Sequence, residues 1–263
     1  MLTSLNNSTV KQIRKLQQSK ERRRQNVLLL EGTHLVEAAC LAGYPIQMIC
    51  YTEAWQMRHK GVSEAAIAQA DQEVLVSEAV LKSVASTISP DGVVAIAPRR
   101  SAWQAATSGP SAQVNLGILL ETIQDPGNLG TIIRTAAAAG SDGLWLSPDS
   151  VSVENPKVLR ASVGQWFQLP MAVADVTQQA QQLRDRGVQI IATASTASLS
   201  YWELDLTQPT VFAMGNEGAG LSAALMSCAS TTVKIPVAPQ VDSLNVAIST
   251  ALLLYEARRQ RDT

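Results

Sequence analysis

Two neighbouring segments near the C-terminus, 209–222 and 233–260, constrain the fold of this chain more than any other part of the sequence. Each begins with a short apolar run typical of a strand, continues into a loop and then shows the spacing of a helix. In the first loop, three glycines flank Asn216 and Glu217. Glycines let backbone amides approach a ligand closely and adopt positive φ at little cost. The two segments therefore predict ligand-binding loops at the ends of two strands.

The final helix is predicted from apolar residues at helical spacing, which follow a loop containing two prolines. The predicted stripe, which we expect to be buried, consists of Leu244, Ile248, Ala251, Leu252 and Tyr255. Asp242 or Ser243 is expected to cap this helix. Asn245 lies beside the stripe at the helix start, and its amide is expected to point towards the loops. An ordinary turn at the glycine-rich loop and a purely capping role for Asn245 are the alternative interpretations.

Strand-like runs alternate with helical patterns throughout residues 113–263. The first run, residues 115–121, is almost continuously apolar, which is typical of a strand buried in a parallel sheet. This alternation predicts a mostly parallel sheet, with ligands bound beyond the carboxyl ends of its strands. Residues 1–98 predict a smaller α/β domain in the same way. Small residues together with a Gly-Pro pair mark residues 99–112 as a linker.

Three motifs in this order resemble those of the SpoU-type (TrmH-like) RNA 2′-O-ribose methyltransferases of the SPOUT superfamily. They are LLETIQDPGNLGTIIRTAAAAG (119–140), GNEGAGLS (215–222) and IPVAPQVDSLNV (235–246). The resemblance covers residues 113–260 and implies a C-terminal α/β knot domain, in which the chain threads through a loop formed by the last strands. Residues 1–98 resemble, more loosely, the substrate-binding domain of many members, which implies a small α/β RNA-binding domain.

Basic residues are concentrated near the N-terminus, although the net charge of the chain is only −1. Residues 11–24 contain seven basic side chains and one acidic side chain, Glu21, within a segment (8–24) predicted to form one polar helix. Such clustering is typical of a surface that contacts phosphates, and a solvated helix face is the alternative. The candidate RNA-binding residues are Lys11, Arg14, Lys15, Arg22, Arg23 and Arg24.

The resemblance implies that Asn128 and Arg134 act at the ribose hydroxyl, and that Glu217 and Asn245 complete the polar site. Helical geometry places Arg134 away from the core face of its helix. Because a guanidinium stays protonated at neutral pH, we expect Arg134 to bind the neighbouring phosphate and stabilise alkoxide charge rather than to remove a proton. The alternatives are a capping role for Asn128, a solvent-facing role for Arg134 and a loop-holding role for Glu217.

The resemblance also implies S-adenosylmethionine as the cofactor. Its expected contacts are Thr193, Ala194, Gly215, Asn216, Gly218, Ile235 and Leu244. The absence of a GxGxxG motif after the first strand of this domain argues against the ordinary Rossmann methyltransferases and against NAD binding. Two departures from the family pattern are Val237, in IPV rather than the usual IPM, and Ala247, where many members carry a serine. The second departure puts in doubt the hydrogen bond that such a serine would make.

The resemblance thus implies an S-adenosylmethionine-dependent enzyme that methylates a ribose 2′-hydroxyl in structured RNA, ribosomal rather than transfer RNA. A transfer RNA methyltransferase and an inactive RNA-binding protein of the same fold are the alternatives. A small-molecule or protein methyltransferase would leave the basic segment unexplained. The resemblance implies a homodimer. The scattered cysteines indicate no metal site, and the lack of an apolar run of ~20 residues or a signal sequence indicates a cytoplasmic protein without membrane spans.

Overall fold

The computed structural model describes residues 1–99 and 113–262, so the predicted linker lies outside the described residues except for Arg99. Two compact units divide the chain. The first contains the described residues up to Arg99 together with Glu154–Gln168, and the second contains the remaining described residues. No helix among the described residues is long and apolar enough to cross a bilayer.

A four-stranded sheet forms the centre of the first unit. Its strands are β1 (Val27–Glu31), β2 (Met48–Tyr51), β3 (Glu73–Leu75) and β4 (Val93–Pro98), in the order β1-β4-β2-β3. Only β2 and β3 pair in parallel. The helices of the first unit that precede its last strand are α1 (Ser8–Lys15), α2 (Ser19–Gln25), α3 (Thr33–Leu41), α4 (Glu53–Arg58), α5 (Lys60–Gln69) and α6 (Glu78–Val84). The small α/β domain predicted from the sequence is therefore present.

The basic N-terminal segment forms two helices, α1 and α2, rather than the single helix predicted. Leu16, at the break between them, is buried in the core. Nη1 of Arg22 donates to the carbonyl oxygens of Leu16 at 2.7 Å and of Gln17 at 2.9 Å. The Arg22 side chain satisfies carbonyls freed at a helix end, and only 7% of the residue is exposed. The prediction that Arg22 contacts RNA is therefore wrong, because its guanidinium holds the turn between the two helices.

Helix α8 (Pro156–Ala161) folds with the first unit, although it lies within the stretch that resembles the methyltransferase domain. Its Arg160 donates from Nη1 to the carboxylate of Glu31 at 3.2 Å. Glu31 is buried and also accepts from the backbone and hydroxyl groups of Ser86 and Thr87. Burial alone would raise the pKa of Glu31, but the hydrogen bonds from Ser86 and Thr87 outweigh it and lower the pKa. Residues 154–168 are thus tied to β1 by a fully bonded buried carboxylate.

A seven-stranded sheet forms the centre of the second unit, and all of its strand pairs are parallel. Its strands are β5 (Leu116–Leu120), β6 (Gly143–Leu146), β7 (Met171–Val173), β8 (Gln189–Thr193), β9 (Leu199–Ser200), β10 (Thr210–Met214) and β11 (Thr231–Lys234). Their order is β7-β6-β5-β10-β8-β11-β9. The mostly parallel sheet predicted from the sequence is confirmed. Strand β9 was not predicted, because two residues are too short to show a period.

The helices of the second unit are α7 (Pro126–Ala139), α9 (Val176–Asp185), α10 (Ala223–Ser227) and α11 (Val246–Arg261). Helix α7 begins after Asp125, whose side chain accepts from two backbone amides, with Pro126 at its first turn. It ends at Gly140, which has a φ of 78°. Helices α7 and α11 pack against each other, and Nη1 of Arg258 donates to the carbonyl oxygen of Ala138 at 2.6 Å. The first motif and the final helix are therefore neighbours.

The predicted apolar stripe of α11 faces outwards, which contradicts its expected burial. Ile248 is 51% exposed and Tyr255 is 49% exposed. The buried residues of α11 are instead Val246, Ala247, Thr250, Leu253, Leu254 and Ala257. Both faces of the helix carry apolar residues, so periodicity alone could not identify the core face. The expected cap was also wrong, since Asn245 rather than Asp242 or Ser243 accepts from the first amides of α11.

Candidate active site

Three loops at the carboxyl edge of the second sheet meet around one cavity of about 900 Å³. They follow strands β8, β10 and β11, which are neighbours in the sheet. All seven residues predicted to contact the cofactor line the cavity: Thr193, Ala194, Gly215, Asn216, Gly218, Ile235 and Leu244. Parallel strands place their carboxyl ends at one edge, which explains why segments distant in sequence converge here.

The glycine-rich loop (215–222) is folded tightly at its start. A Cβ atom on Gly215 would lie 2.2 Å from the carbonyl carbon of Gly220, so only glycine fits. Asn216 and Gly220 pair through two backbone hydrogen bonds, of 3.1 and 2.9 Å. Oδ1 of Asn216 accepts from the amides of Gly218 and Ala219. The Asn216 side chain therefore shapes the loop, and its Nδ2 donates to the carbonyl oxygen of Thr122 at 3.0 Å.

One hydrogen-bonded chain joins the polar residues of the three motifs, and we call it the polar chain. Nδ2 of Asn245 donates to Oδ1 of Asn128 at 2.9 Å. Nδ2 of Asn128 donates in turn to Oε1 of Glu217 at 2.6 Å. Because Oδ1 of Asn245 accepts from the amide of Ala247 at 2.9 Å, the orientation of both asparagine amides is determined. The structure thus brings Asn128, Glu217 and Asn245 together, as a connected unit.

The alternative roles of these three residues are partly resolved by their contacts. Asn128 does not cap its helix, because Asp125 accepts from the amides of Gly127 at 2.7 Å and Asn128 at 2.9 Å. Asn245 caps α11 with its oxygen and joins the polar chain with its nitrogen. Glu217 is exposed at the loop tip and accepts through one carboxylate oxygen. Its second oxygen has no hydrogen-bond donor among residues 1–99 and 113–262.

Arg134 lies on α7, six residues after Asn128, which corresponds to a rise of about 9 Å along the helix. Its side chain is exposed, as are Thr131 and Ala138 on the same face, which confirms the predicted orientation. No hydrogen-bond or ion-pair partner for Arg134 occurs within the described part of the chain. Arg134 does not line the cavity, and neither do Asn128 and Asn245. The Arg134 guanidinium is thus a free cation on α7, the helix that also carries Asn128 of the polar chain.

Several residues that line the cavity were not predicted. Among them are Ser195 and Thr196. Ser195 and Thr196 follow β8 almost directly, and polar residues at the carboxyl end of a parallel strand are the signal that could have identified them. Across the described ranges, no group of three or more His, Cys, Asp or Glu side chains is placed to hold a metal ion.

Comparisons with known proteins match both units. The SpoU rRNA Methylase family model matches residues 115–255, and the MRM3-like substrate binding domain model matches residues 7–95. An uncharacterized tRNA/rRNA methyltransferase of Synechocystis sp. is 44% identical over 99% of this chain and 94% of its own length. The Bacillus subtilis 23S rRNA (guanosine(2553)-2′-O)-methyltransferase RlmP is 32% identical, over 98% of both chains. The crystal structure of an AdoMet-bound rRNA methyltransferase from Sinorhizobium meliloti is 36% identical and covers 98% of this chain and 97% of its own, with a TM-score of 0.84.

Proposed function

Because the chain belongs to the SpoU rRNA methylase family, we propose that it transfers a methyl group from S-adenosylmethionine to the 2′-hydroxyl of a ribose in ribosomal RNA. The polar chain of Asn245, Asn128 and Glu217, beside a cavity at the carboxyl edge of a parallel sheet, is the observation that carries this proposal. Two of the relatives named above support ribosomal RNA as the substrate, since their names specify rRNA or a 23S rRNA ribose, whereas the name of the Synechocystis relative covers both tRNA and rRNA.

The cavity fits the proposed cofactor in size and in chemistry. Its volume of about 900 Å³ is within the range of about 300–1,000 Å³ that is usual for small-molecule sites. Backbone groups of the glycine-rich loop, the hydroxyls of Ser195 and Thr196 and the carboxylate of Asp242 offer hydrogen bonds to a ribose, an adenine and an amino-acid group. Ile235 and Leu244 provide apolar walls.

S-adenosylmethionine supplies a methyl group activated by a sulfonium, so the protein must mainly orient the ribose and exclude water. Glu217, with one free carboxylate oxygen, can accept a hydrogen bond from the ribose, and Asn128 and Asn245 hold Glu217 in place. Arg134 binds the adjacent phosphate and stabilises the negative charge that develops on the attacking oxygen. The hydroxyl proton leaves to that phosphate or to water.

A methyl-transfer assay tests the proposal directly. The protein is incubated with isotopically labelled S-adenosylmethionine and with rRNA from cells that lack its gene, and ribose methylation is then mapped along the RNA. We expect label at one 2′-hydroxyl, which is missing in the deletion strain and present in the wild-type strain. Binding of rRNA without incorporation of label would instead support the inactive RNA-binding protein. Label in transfer RNA alone would support the alternative substrate.

We propose that the exposed basic side chains of α1 and α2 contact the RNA backbone. Lys11, Lys15 and Arg24 surround a surface hollow of about 550 Å³ together with polar side chains. Arg23 is also exposed and Arg14 is half-buried, while Arg22 is excluded by its burial. Arg24 is paired with Glu21 at 2.8 Å, so it is the weakest candidate among them.

Replacing Lys11 and Lys15 with alanine is expected to weaken binding of rRNA at 150 mM salt by about tenfold. Each lost phosphate contact should reduce the slope of log Kd against log salt by about 1, so the double variant should lose about 2. Filter binding at four salt concentrations measures both quantities. The matched control is Arg184→Ala with Arg186→Ala, which removes two exposed positive charges elsewhere. Equal slopes for the two double variants would contradict a phosphate-contacting role.

We propose that the outward-facing stripe of α11 is a homodimer interface. Ile248, Leu252, Tyr255 and Tyr201 line a shallow hollow of about 410 Å³. Trp202, beside Tyr201, is 62% exposed. Contiguous exposed apolar surface of this kind is typical of a protein–protein contact. The dimer suggested by the resemblance would therefore bury the face that the isolated chain leaves open.

Leu252→Asp is expected to convert the dimer to a monomer, because an unpaired carboxylate buried at the interface costs several kcal/mol. Light scattering coupled to size-exclusion chromatography measures the mass. The control is Leu41→Asp, since Leu41 is 82% exposed on α3 and lies outside the stripe. A wild-type monomer, or an unchanged dimer in Leu252→Asp, would exclude this interface.

We propose residues 1–98 as the RNA-binding domain, 99–112 as the linker and 113–263 as the methyltransferase domain. The segment Glu154–Gln168 departs from this division, because it belongs to the first compact unit. A separately expressed 1–98 fragment should therefore unfold at lower temperature than the same region in the full chain.

We also propose the knot and a cytoplasmic location. Threading of the chain in an experimental electron-density map tests the knot, and fractionation of cells tests the location.

A further inference from the structure

Thr122, at the carboxyl end of β5, has a φ of 56°. A β-branched residue in the left-handed region is strained and persists only where its surroundings hold it. Within the described ranges, only two other non-glycine residues have positive φ, Asn26 and Val163. Thr122 is the one of the three that adjoins the candidate active site, since it contacts Asn216 of the glycine-rich loop.

The side chains of Asp149 and Ser147, at the end of β6, hold Thr122 in this conformation. Oγ1 of Thr122 donates to Oδ2 of Asp149 at 2.7 Å. The amide of Thr122 donates to Oγ of Ser147 at 2.8 Å. Ser147 in turn donates to Oδ1 of Asp149. The hydrogen bonds from Ser147 and then from Thr122 lower the pKa of Asp149, so it accepts as a carboxylate at neutral pH.

Thr122 in turn contacts the glycine-rich loop through its backbone carbonyl group. Its carbonyl oxygen accepts from Nδ2 of Asn216 at 3.0 Å. Oδ1 of the same asparagine accepts from the amides of Gly218 at 2.9 Å and Ala219 at 3.1 Å, which sets the turn beside the cavity. The Thr122 carbonyl therefore holds the Asn216 side chain, in addition to the backbone pairing of Asn216 with Gly220.

The far end of the same loop is held by the residue that precedes Thr122. The amide and the hydroxyl of Ser222 donate to the two carboxylate oxygens of Glu121, both at 2.7 Å. Residues 121 and 122 thus anchor both ends of the loop. Glu121 makes its contact directly, whereas the contact through Thr122 depends on a strained backbone that Asp149 supports.

We propose that Asp149 is a positioning residue for the methyl-donor site, acting by holding Thr122 in its left-handed conformation and thereby fixing the glycine-rich loop. The inference rests on the proposed function, because it assigns a consequence for cofactor binding. The Asp149 carboxylate also bonds outside its own turn, because its hydrogen bond with Thr122 joins the end of β6 to the end of the neighbouring strand β5. It does not line the cavity and does not touch the cofactor's site.

The test compares Asp149→Ala, Thr122→Gly and the double variant by calorimetric titration with S-adenosylmethionine. We expect Asp149→Ala to raise the Kd about tenfold, which corresponds to 1.4 kcal/mol. Because glycine adopts positive φ without strain, Thr122→Gly should bind nearly as wild type. When Thr122→Gly is added to Asp149→Ala, the double variant should recover most of the affinity for S-adenosylmethionine. The matched control is Asp205→Ala, since Asp205 accepts from the amide and hydroxyl of Thr207 in a turn outside the cavity.

A second readout follows amide hydrogen exchange of the peptide covering residues 213–222 without cofactor. Asp149→Ala should speed its exchange, and the double variant should slow it again. Unchanged affinity and exchange in Asp149→Ala, or no recovery in the double variant, would overturn the inference. If Asp149→Ala does not fold, Asp149→Asn replaces it in both measurements. A wild-type protein that binds no S-adenosylmethionine would refute the proposed function instead, and the exchange data would still decide the role of Asp149.

Discussion

Arg134→Lys is expected to lower kcat for ribose methylation by at least about 10²-fold, the usual loss when one donor to a developing oxyanion is removed. Arg134 is exposed on α7 and makes no hydrogen bond or ion pair with any described residue, so its guanidinium is free to bind the RNA. Lysine keeps the charge but cannot form two parallel hydrogen bonds to a phosphate. Single-turnover transfer of labelled methyl groups measures the chemical step.

The affinity for S-adenosylmethionine should remain within about twofold in Arg134→Lys, because Arg134 does not line the cavity. Arg184→Lys is the control, since Arg184 is exposed on α9 and lies outside the cavity. Thermal unfolding of Arg134→Lys should match that of the wild type, as no folded-state contact is lost. Near-full turnover in Arg134→Lys would refute a role for the guanidinium fork, and an equal loss in Arg184→Lys would show that the effect is not specific to position 134.

Gly215→Ala should reduce affinity for S-adenosylmethionine by between about fivefold and about 150-fold, since overpacking of a tight site typically costs about 1–3 kcal/mol. The new Cβ would lie 2.2 Å from the carbonyl carbon of Gly220 and 2.5 Å from the amide nitrogen of Leu221. These are backbone atoms, and the pairing of Asn216 with Gly220 leaves them little room to move. The glycine-rich loop must therefore change its conformation, and the cavity wall that it forms changes with it.

Alanine substitutions at two other glycines serve as comparisons for the loss of cofactor affinity in Gly215→Ala. Gly61→Ala adds a methyl group that would meet nothing within 4 Å, on a helix of the first unit, and should bind the cofactor as the wild type does. Gly218→Ala would approach only Oδ1 of Asn216, at 3.5 Å, so its effect should be smaller than that of Gly215→Ala. Calorimetric titration of the three variants gives the ranking. Similar affinities for Gly215→Ala and Gly61→Ala would show that the loop tolerates the added atom.

The parallel sheet and the meeting of the three loops could be predicted from the sequence, because local patterns specify them. Strand β5 is continuously apolar, β10 is apolar after Thr210, and both are fully buried, as expected for strands covered on both faces. Asp125 and Gly140 mark the two ends of α7. The identities of the polar residues at the site came from the family resemblance. The order of hydrogen bonds along the polar chain required the structure.

Features that depend on particular contacts rather than on periodicity could not be predicted. The core face of α11 is one example, because a core stripe and an interface stripe have the same period. Arg22 is another, since its burial depends on carbonyl groups left free where α1 ends. The role of Asp149 likewise depends on a contact between residues 27 positions apart, across two strand ends. No local pattern reports such pairings.

The placement of residues 154–168 in the first compact unit has a consequence for protein engineering and for the ancestry of this architecture. The main chain passes between the units three times, because this segment leaves the second unit and returns to it. A chimaera that fuses residues 1–98 to the catalytic half of a different methylase would leave Glu31 without its Arg160 partner. Transferring RNA specificity between such enzymes should therefore require moving residues 154–168 as well, and the two halves are expected to have diversified together rather than as interchangeable modules.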